Sequence, residues 1–137
     1  MTIPTRLRRQ IIERAEHRCE YCGLSQAGQE AEFHIDHVVP LSAAGSTTLD
    51  NLALACVSCS LRKGAREKAP DTQTGKDAAL FNPRRDSWPL HFRWDGDRVI
   101  GLTPTGRATV SALNMNRSLA LAIRQEENLR GRHPGRP

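Results

Sequence analysis

A chain of 137 residues is long enough for one domain with a modest core and too short for two independent ones. With 38% hydrophobic and only 4% aromatic residues the core is expected to need reinforcement, and a formal net charge of +5 points to a polyanionic partner, nucleic acid first. No apolar run approaches the roughly 20 residues of a spanning helix, and residues 1–30 lack the apolar stretch of a secretory signal, so a soluble cytoplasmic protein with no membrane partner is expected.

Residues 5–17, "TRLRRQIIERAEH", place Leu7, Ile11 and Ala15 at helical spacing, which predicts an amphipathic helix running into "CEYC". Residues 24–30 read as a polar loop. "EFHIDHVV" reads as a strand ended by Pro40, which has no N–H to donate to a ladder. "SAAGSTTLD" is a loop, and "NLALAC" a second strand that delivers "CVSC". "SLRKGAREK" then opens a helix with Ser60 near its N-terminus and a basic exposed face. After Pro70, "DTQTGKDAA" reads as a surface loop. "LHFRWDGDRVIGLT" reads as a β-hairpin in which Leu90, Phe92 and Trp94 alternate. Thr105 to about Glu127 is helical in pattern, with Asn114 and Asn116 marking a break, and "RGRHPGRP" is expected to be a disordered basic tail. The implied division is a core over 1–70, an extension over 71–129 packing on it, and a tail over 130–137.

The four cysteines form two C-x2-C pairs, Cys19 with Cys22 and Cys56 with Cys59, and no fifth cysteine spoils the count. Two thiolates on a tight turn reach one ion, and two such turns complete a tetrahedral shell with Zn–S distances near ~2.3 Å. Disulfides are disfavoured without a secretory signal, and a redox C-x-x-C would explain one pair but not two. A structural Zn2+ closed by four thiolates is the expected cofactor. The remaining puzzle is "FHIDHVVP", where His34, Asp36 and His37 interrupt an otherwise apolar strand.

The order C-x2-C, "HIDHVVP", "NLALAC" with "CVSC", then "RKG" resembles HNH endonucleases of the zinc-knuckle type over roughly residues 15–66. "LFNPRRDSWPLHF" and "GRATVSALNMN" are also similar to an extension found in one group of bacterial HNH proteins. The resemblance implies an α+β fold: a ββα-metal (His-Me finger) core with a four-cysteine structural zinc, an N-terminal helix, and a C-terminal β-hairpin plus helix extension. The implied activity is hydrolysis of DNA phosphodiesters to 5′-phosphate and 3′-hydroxyl ends with one catalytic divalent cation, Mg2+, Mn2+ or Ni2+.

Residue by residue, the resemblance makes His37 the general base and Asp36 a ligand of the catalytic cation. Asn51 is implied to brace the loop behind the histidine. Ser60 stands where the family usually has the second ligand, Asn or His, and His34, on the same strand face as Asp36, is the nearest substitute ligand. Arg62, Lys63 and Arg66, on the helix after Ser60, are placed to hold flanking phosphates. Two other readings stay open: a zinc-stabilised nucleic-acid-binding module without catalysis, motivated by Ser60, and a redox or zinc-storage protein, motivated by the thiols alone.

Overall fold

The computed structural model describes residues 3–135. Helix α1 spans Thr5–Arg14 and buries Ile11, with Ala15 just beyond it and Leu7 half-buried, the stripe expected from the sequence. Glu16 and His17 then take positive φ, which ends the helix and turns the chain into the first cysteine pair.

Strands β1 (His34–His37) and β2 (Leu52–Ala55) pair antiparallel, setting His34 opposite Ala55 and Asp36 opposite Ala53. Helix α2 (Val57–Lys63) follows directly. Its contacts with His34 and Asp36 put it on the side of the sheet where the cross-strand residues are the small Ala53 and Ala55. The outer edge of β2 is closed by Glu20, whose amide donates to the Leu54 carbonyl while its carboxylate accepts from the Leu54 amide, each at 2.8 Å. With both edges satisfied, all four residues of β2 are buried.

The loop between the strands folds back tightly. A Cβ on Gly45 would lie 1.7 Å from the Val39 carbonyl oxygen, so only glycine fits there. Helix α2 starts earlier than the sequence suggests because the sulfur of Cys56 caps it, accepting from the Cys59 amide, and it stops at Gly64.

The rest of the chain departs from expectation in several places. Residues 68–79 are not a helix end and a surface loop but a short hairpin, β3 (Lys68–Pro70) with β4 (Asp77–Ala79), so a boundary at 70 falls inside a paired element. Leu90 is no strand residue; it projects from the one-turn helix α3 (Trp88–His91) and is exposed. Strands β5 (Phe92–Asp95) and β6 (Arg98–Gly101) form the expected hairpin about Gly96 and Asp97. Helices α4 (Pro104–Ala112) and α5 (Ser118–Leu129) flank a break in which Asn114 takes positive φ and Asn116 bonds both the amide and the carbonyl of Val99.

The tail is held down as far as it is described. Arg132 pairs with Glu127, its carbonyl accepts from Arg18, and the His133 ring lies edge-on to Trp94. The main apolar cluster runs from Ile11 and the cysteines to Phe81, Phe92, Val99, Leu113 and Met115, while Ala69, Leu80 and Ala108 form a smaller separate one. Core and extension therefore share their interior.

Candidate metal centre and active site

Each cysteine pair sits on a turn in which the second residue's amide points at the first residue's sulfur. Cys22 N donates to Cys19 Sγ and Cys59 N to Cys56 Sγ, both at 3.4 Å. All four thiols are free and buried, with their sulfurs within 4.8 Å of one another. Cys22 Sγ and Cys56 Sγ are 3.7 Å apart. A tetrahedral site with Zn–S near ~2.3 Å has an edge of about 3.8 Å, whereas a disulfide would need about 2.05 Å. The four residues thus fit a zinc ion and not a cross-link. Burial pushes the Cys19 thiol well up, while hydrogen bonds from the Cys19, Cys56 and Cys59 thiols hold Cys22 well down. A zinc ion would hold all four as thiolates.

Asp36 lies on the α2 side of β1 and is only 8% exposed. Its Oδ2 accepts from the Tyr21 hydroxyl at 2.7 Å and lies 3.3 Å from Lys63 Nζ, which is 3.4 Å from Oδ1. Lys63 is itself 2% exposed, and it also donates to the His37 carbonyl at 3.1 Å. This corrects the expectation that Lys63 lies on the exposed face of the helix with Arg62 and Arg66, placed to hold flanking phosphates. Burial pushes the Asp36 carboxyl above its ordinary value, against the pull of Lys63 and Tyr21.

On the same face His34 Nδ1 is 2.9 Å from Ser60 Oγ, so the serine hydroxyl is engaged by the histidine. The Asp36 carboxylate already carries a buried cation and a phenol, and the Ser60 hydroxyl already has a partner. As arranged, these residues do not fit a hard dication. Among the described residues, the cysteine quartet is the one cluster of three or more metal-ligating side chains.

His37 takes its partner elsewhere, as period-two alternation requires. Half-buried at the end of β1, it places Nε2 2.9 Å from Thr47 Oγ1 in the β1–β2 loop. Asn51 organises that loop: its Oδ1 accepts from Val39 N at 2.9 Å, and its Nδ2 donates to the carbonyls of Val39 and Ser46. Arg62 and Arg66 are exposed on α2 and its C-terminal turn, with Arg66 donating to the Arg62 and Ala112 carbonyls.

Sequence reasoning does not reach Tyr21, Thr47 or the burial of Lys63. Only the last leaves a signal, since Lys63 is four positions from the buried Cys59 and shares its helix face. Among the described residues, no helix is long and apolar enough to cross a membrane. No curated protein and no solved structure matches the chain. Residues 19–66, about a third of the chain, match the family model described as HNH endonuclease, and this matched segment holds both cysteine pairs, the Asp36–His37 pair and Asn51.

Proposed function

We propose that the protein is an endonuclease that hydrolyses DNA phosphodiester bonds, with His37 as general base. The observation that carries this reading is the setting of His37. Its backbone is held by Lys63 through its carbonyl, its neighbour Val38 donates to the Asn51 carbonyl at 2.9 Å, and its ring is anchored at one nitrogen by Thr47. A neutral imidazole fixed through one nitrogen offers the other to a water molecule. That water attacks phosphorus in line, its proton passes to the imidazole, and the bond from phosphorus to the 3′-oxygen breaks. A 5′-phosphate and a 3′-alkoxide result, and the alkoxide is protonated from solvent.

Asn51 acts by keeping Val39 and Ser46, and so the loop bearing Thr47, in place. Arg62 and Arg66 hold flanking phosphates from the exposed side of α2, a sequence-independent attraction that the net charge of +5 reinforces. The four cysteines hold a structural zinc. Asp36 has the hard oxygen chemistry for Mg2+, Mn2+ or Ni2+, but it is neutralised by Lys63, so such an ion competes with an ammonium that is already seated.

That competition, with Ser60 in the usual ligand position, favours a second reading: a nucleic-acid-binding module that no longer cleaves. Supercoiled plasmid incubated with zinc-loaded protein across Mg2+, Mn2+ and Ni2+ separates the two. The nuclease reading expects nicked or linear product, lowered on the order of 10²–10⁴-fold in His37→Ala with DNA affinity retained. Binding without product in every metal selects the second reading.

A further inference from the structure

Four thiolates around one Zn2+ carry a net charge of minus two, and here they are buried in an apolar cluster. A buried charge needs nearby donors or countercharge. Two are already placed: the amides of Cys22 and Cys59, which reach the sulfurs of Cys19 and Cys56, the first cysteine of each pair.

Beside the second cysteine of the first pair, the Trp94 ring packs on the turn, 3.1 Å from where a Cβ on Gly23 would lie, and a cation is buried against that ring. Arg124, on the inner stripe of α5, is 0% exposed. Its Nη1 donates to the Asp97 carbonyl at 3.0 Å, and its guanidinium lies 5.4 Å from the centre of the Trp94 ring. Its Nε and Nη2 are buried without a hydrogen-bond partner among the described residues. Burial pushes the Arg124 guanidinium below its ordinary value, and the nearby Cys22 and Cys59 pull it back up. Stacking on Trp94 alone gives no reason to sink two unsatisfied N–H donors. A thiolate cluster does, because sulfur anions are soft acceptors whose charge the guanidinium offsets.

We propose that Arg124 is the countercation of the four-cysteine zinc centre, delivered by α5, so that the C-terminal extension completes the outer environment of a metal site whose ligands all lie in the first half of the chain. This rests on zinc occupancy and is independent of whether DNA is cut. It also explains why the extension is joined to the core, because docking α5 and retaining zinc become one event.

The test uses the full-length, zinc-loaded protein in competition with a chelator. Arg124→Met is expected to weaken zinc retention on the order of 10–100-fold, the range for residues that support metal ligands. In the cobalt-substituted protein it should also move the thiolate-to-Co2+ charge-transfer band to lower energy, because thiolates without a positive neighbour give up an electron more easily. Arg124→Lys keeps the charge and should stay within a few-fold of wild type, with the band near its original position. Leu113→Ala removes a fully buried side chain of the extension without touching the cation, and should lower the melting temperature while leaving the band unmoved. The proposal is overturned if Arg124→Met leaves zinc retention and the band at wild-type values, or if Leu113→Ala reproduces both effects. Should Arg124→Met fail to fold even with zinc, Arg124→Lys decides: retained zinc supports the charge role, and a loss as large as that of the unfolded chain ends it.

Discussion

At Lys63 the chemistry of a single residue reverses its expected role. A lysine in an "RKG" run reads as a solvated cation, yet its ammonium lies 3.3 Å from Asp36 in the interior. Removing one partner of a buried pair strands the other, so Lys63→Met should cost about 3–5 kcal/mol in urea unfolding of the zinc-loaded protein. Replacing both residues, Lys63→Met with Asp36→Leu, should recover most of that loss; a double variant no better than the single one would mean that the pair is not coupled. The aspartate and the histidine of "FHIDHVVP" are legible as chemistry because three ionisable groups do not belong in a buried strand. Their partners are not legible, because Tyr21, Thr47 and Lys63 come from three other segments and meet them only in the fold.

Among the elements, those legible in the sequence are the ones with a long period or strong punctuation: α1, β1 and β2 around their cysteines, the β5–β6 hairpin, and the helix pair broken near Asn114. The β3–β4 hairpin is not, because strands of three residues carry no measurable alternation and its connection is wholly polar. What forms it is tertiary. Arg107 on α4 donates twice to Asp71, at 2.7 and 3.1 Å, while the Asp71 carboxylate also takes the Gln73 amide and the Thr74 hydroxyl.

Those bonds, led by Arg107, hold the Asp71 carboxyl well below its ordinary value. A carboxyl depressed in the folded state stabilises the fold above its unfolded pKa, near ~3.9, and loses that contribution as pH falls below it. Asp71→Asn should therefore lower stability at neutral pH and flatten the acid limb of a stability-against-pH curve. An unchanged limb would show that the clamp is absent in solution. The β1–β2 loop makes a steric prediction: Gly45→Ala should destabilise by about 1–3 kcal/mol or more, because the new methyl meets the Val39 carbonyl. It should lower plasmid cleavage as well, since the same loop carries Thr47 to His37.

For the molecule as a whole, the motif resemblance legible in the sequence covers roughly residues 15–66, a little over a third of the chain, and the boundary expected at residue 70 falls inside the β3–β4 hairpin rather than where the structure divides. Phe81, Phe92 and Val99 lie in the same cluster as Ile11, Leu54 and the cysteines. A shared interior clasped by one metal should melt as a unit, so Cys56→Ser, or chelation of the wild type, is expected to abolish cooperative folding of both halves, read by calorimetry. A surviving transition from residues 71–135 would show that the extension folds by itself.

The indole of Trp88 donates to the carbonyl of Tyr21, inside the first cysteine turn, and its ring lies 5.1 Å from that of Trp94, under which Arg124 is buried. These are the two tryptophans of the chain. Every source of long-wavelength ultraviolet emission thus sits on the seam between metal centre and extension, which makes the protein its own optical gauge of that seam. Titrating chelator into the wild type should red-shift the emission as the rings meet water, and in Arg124→Met the same shift should arrive at lower chelator concentration, with no label attached.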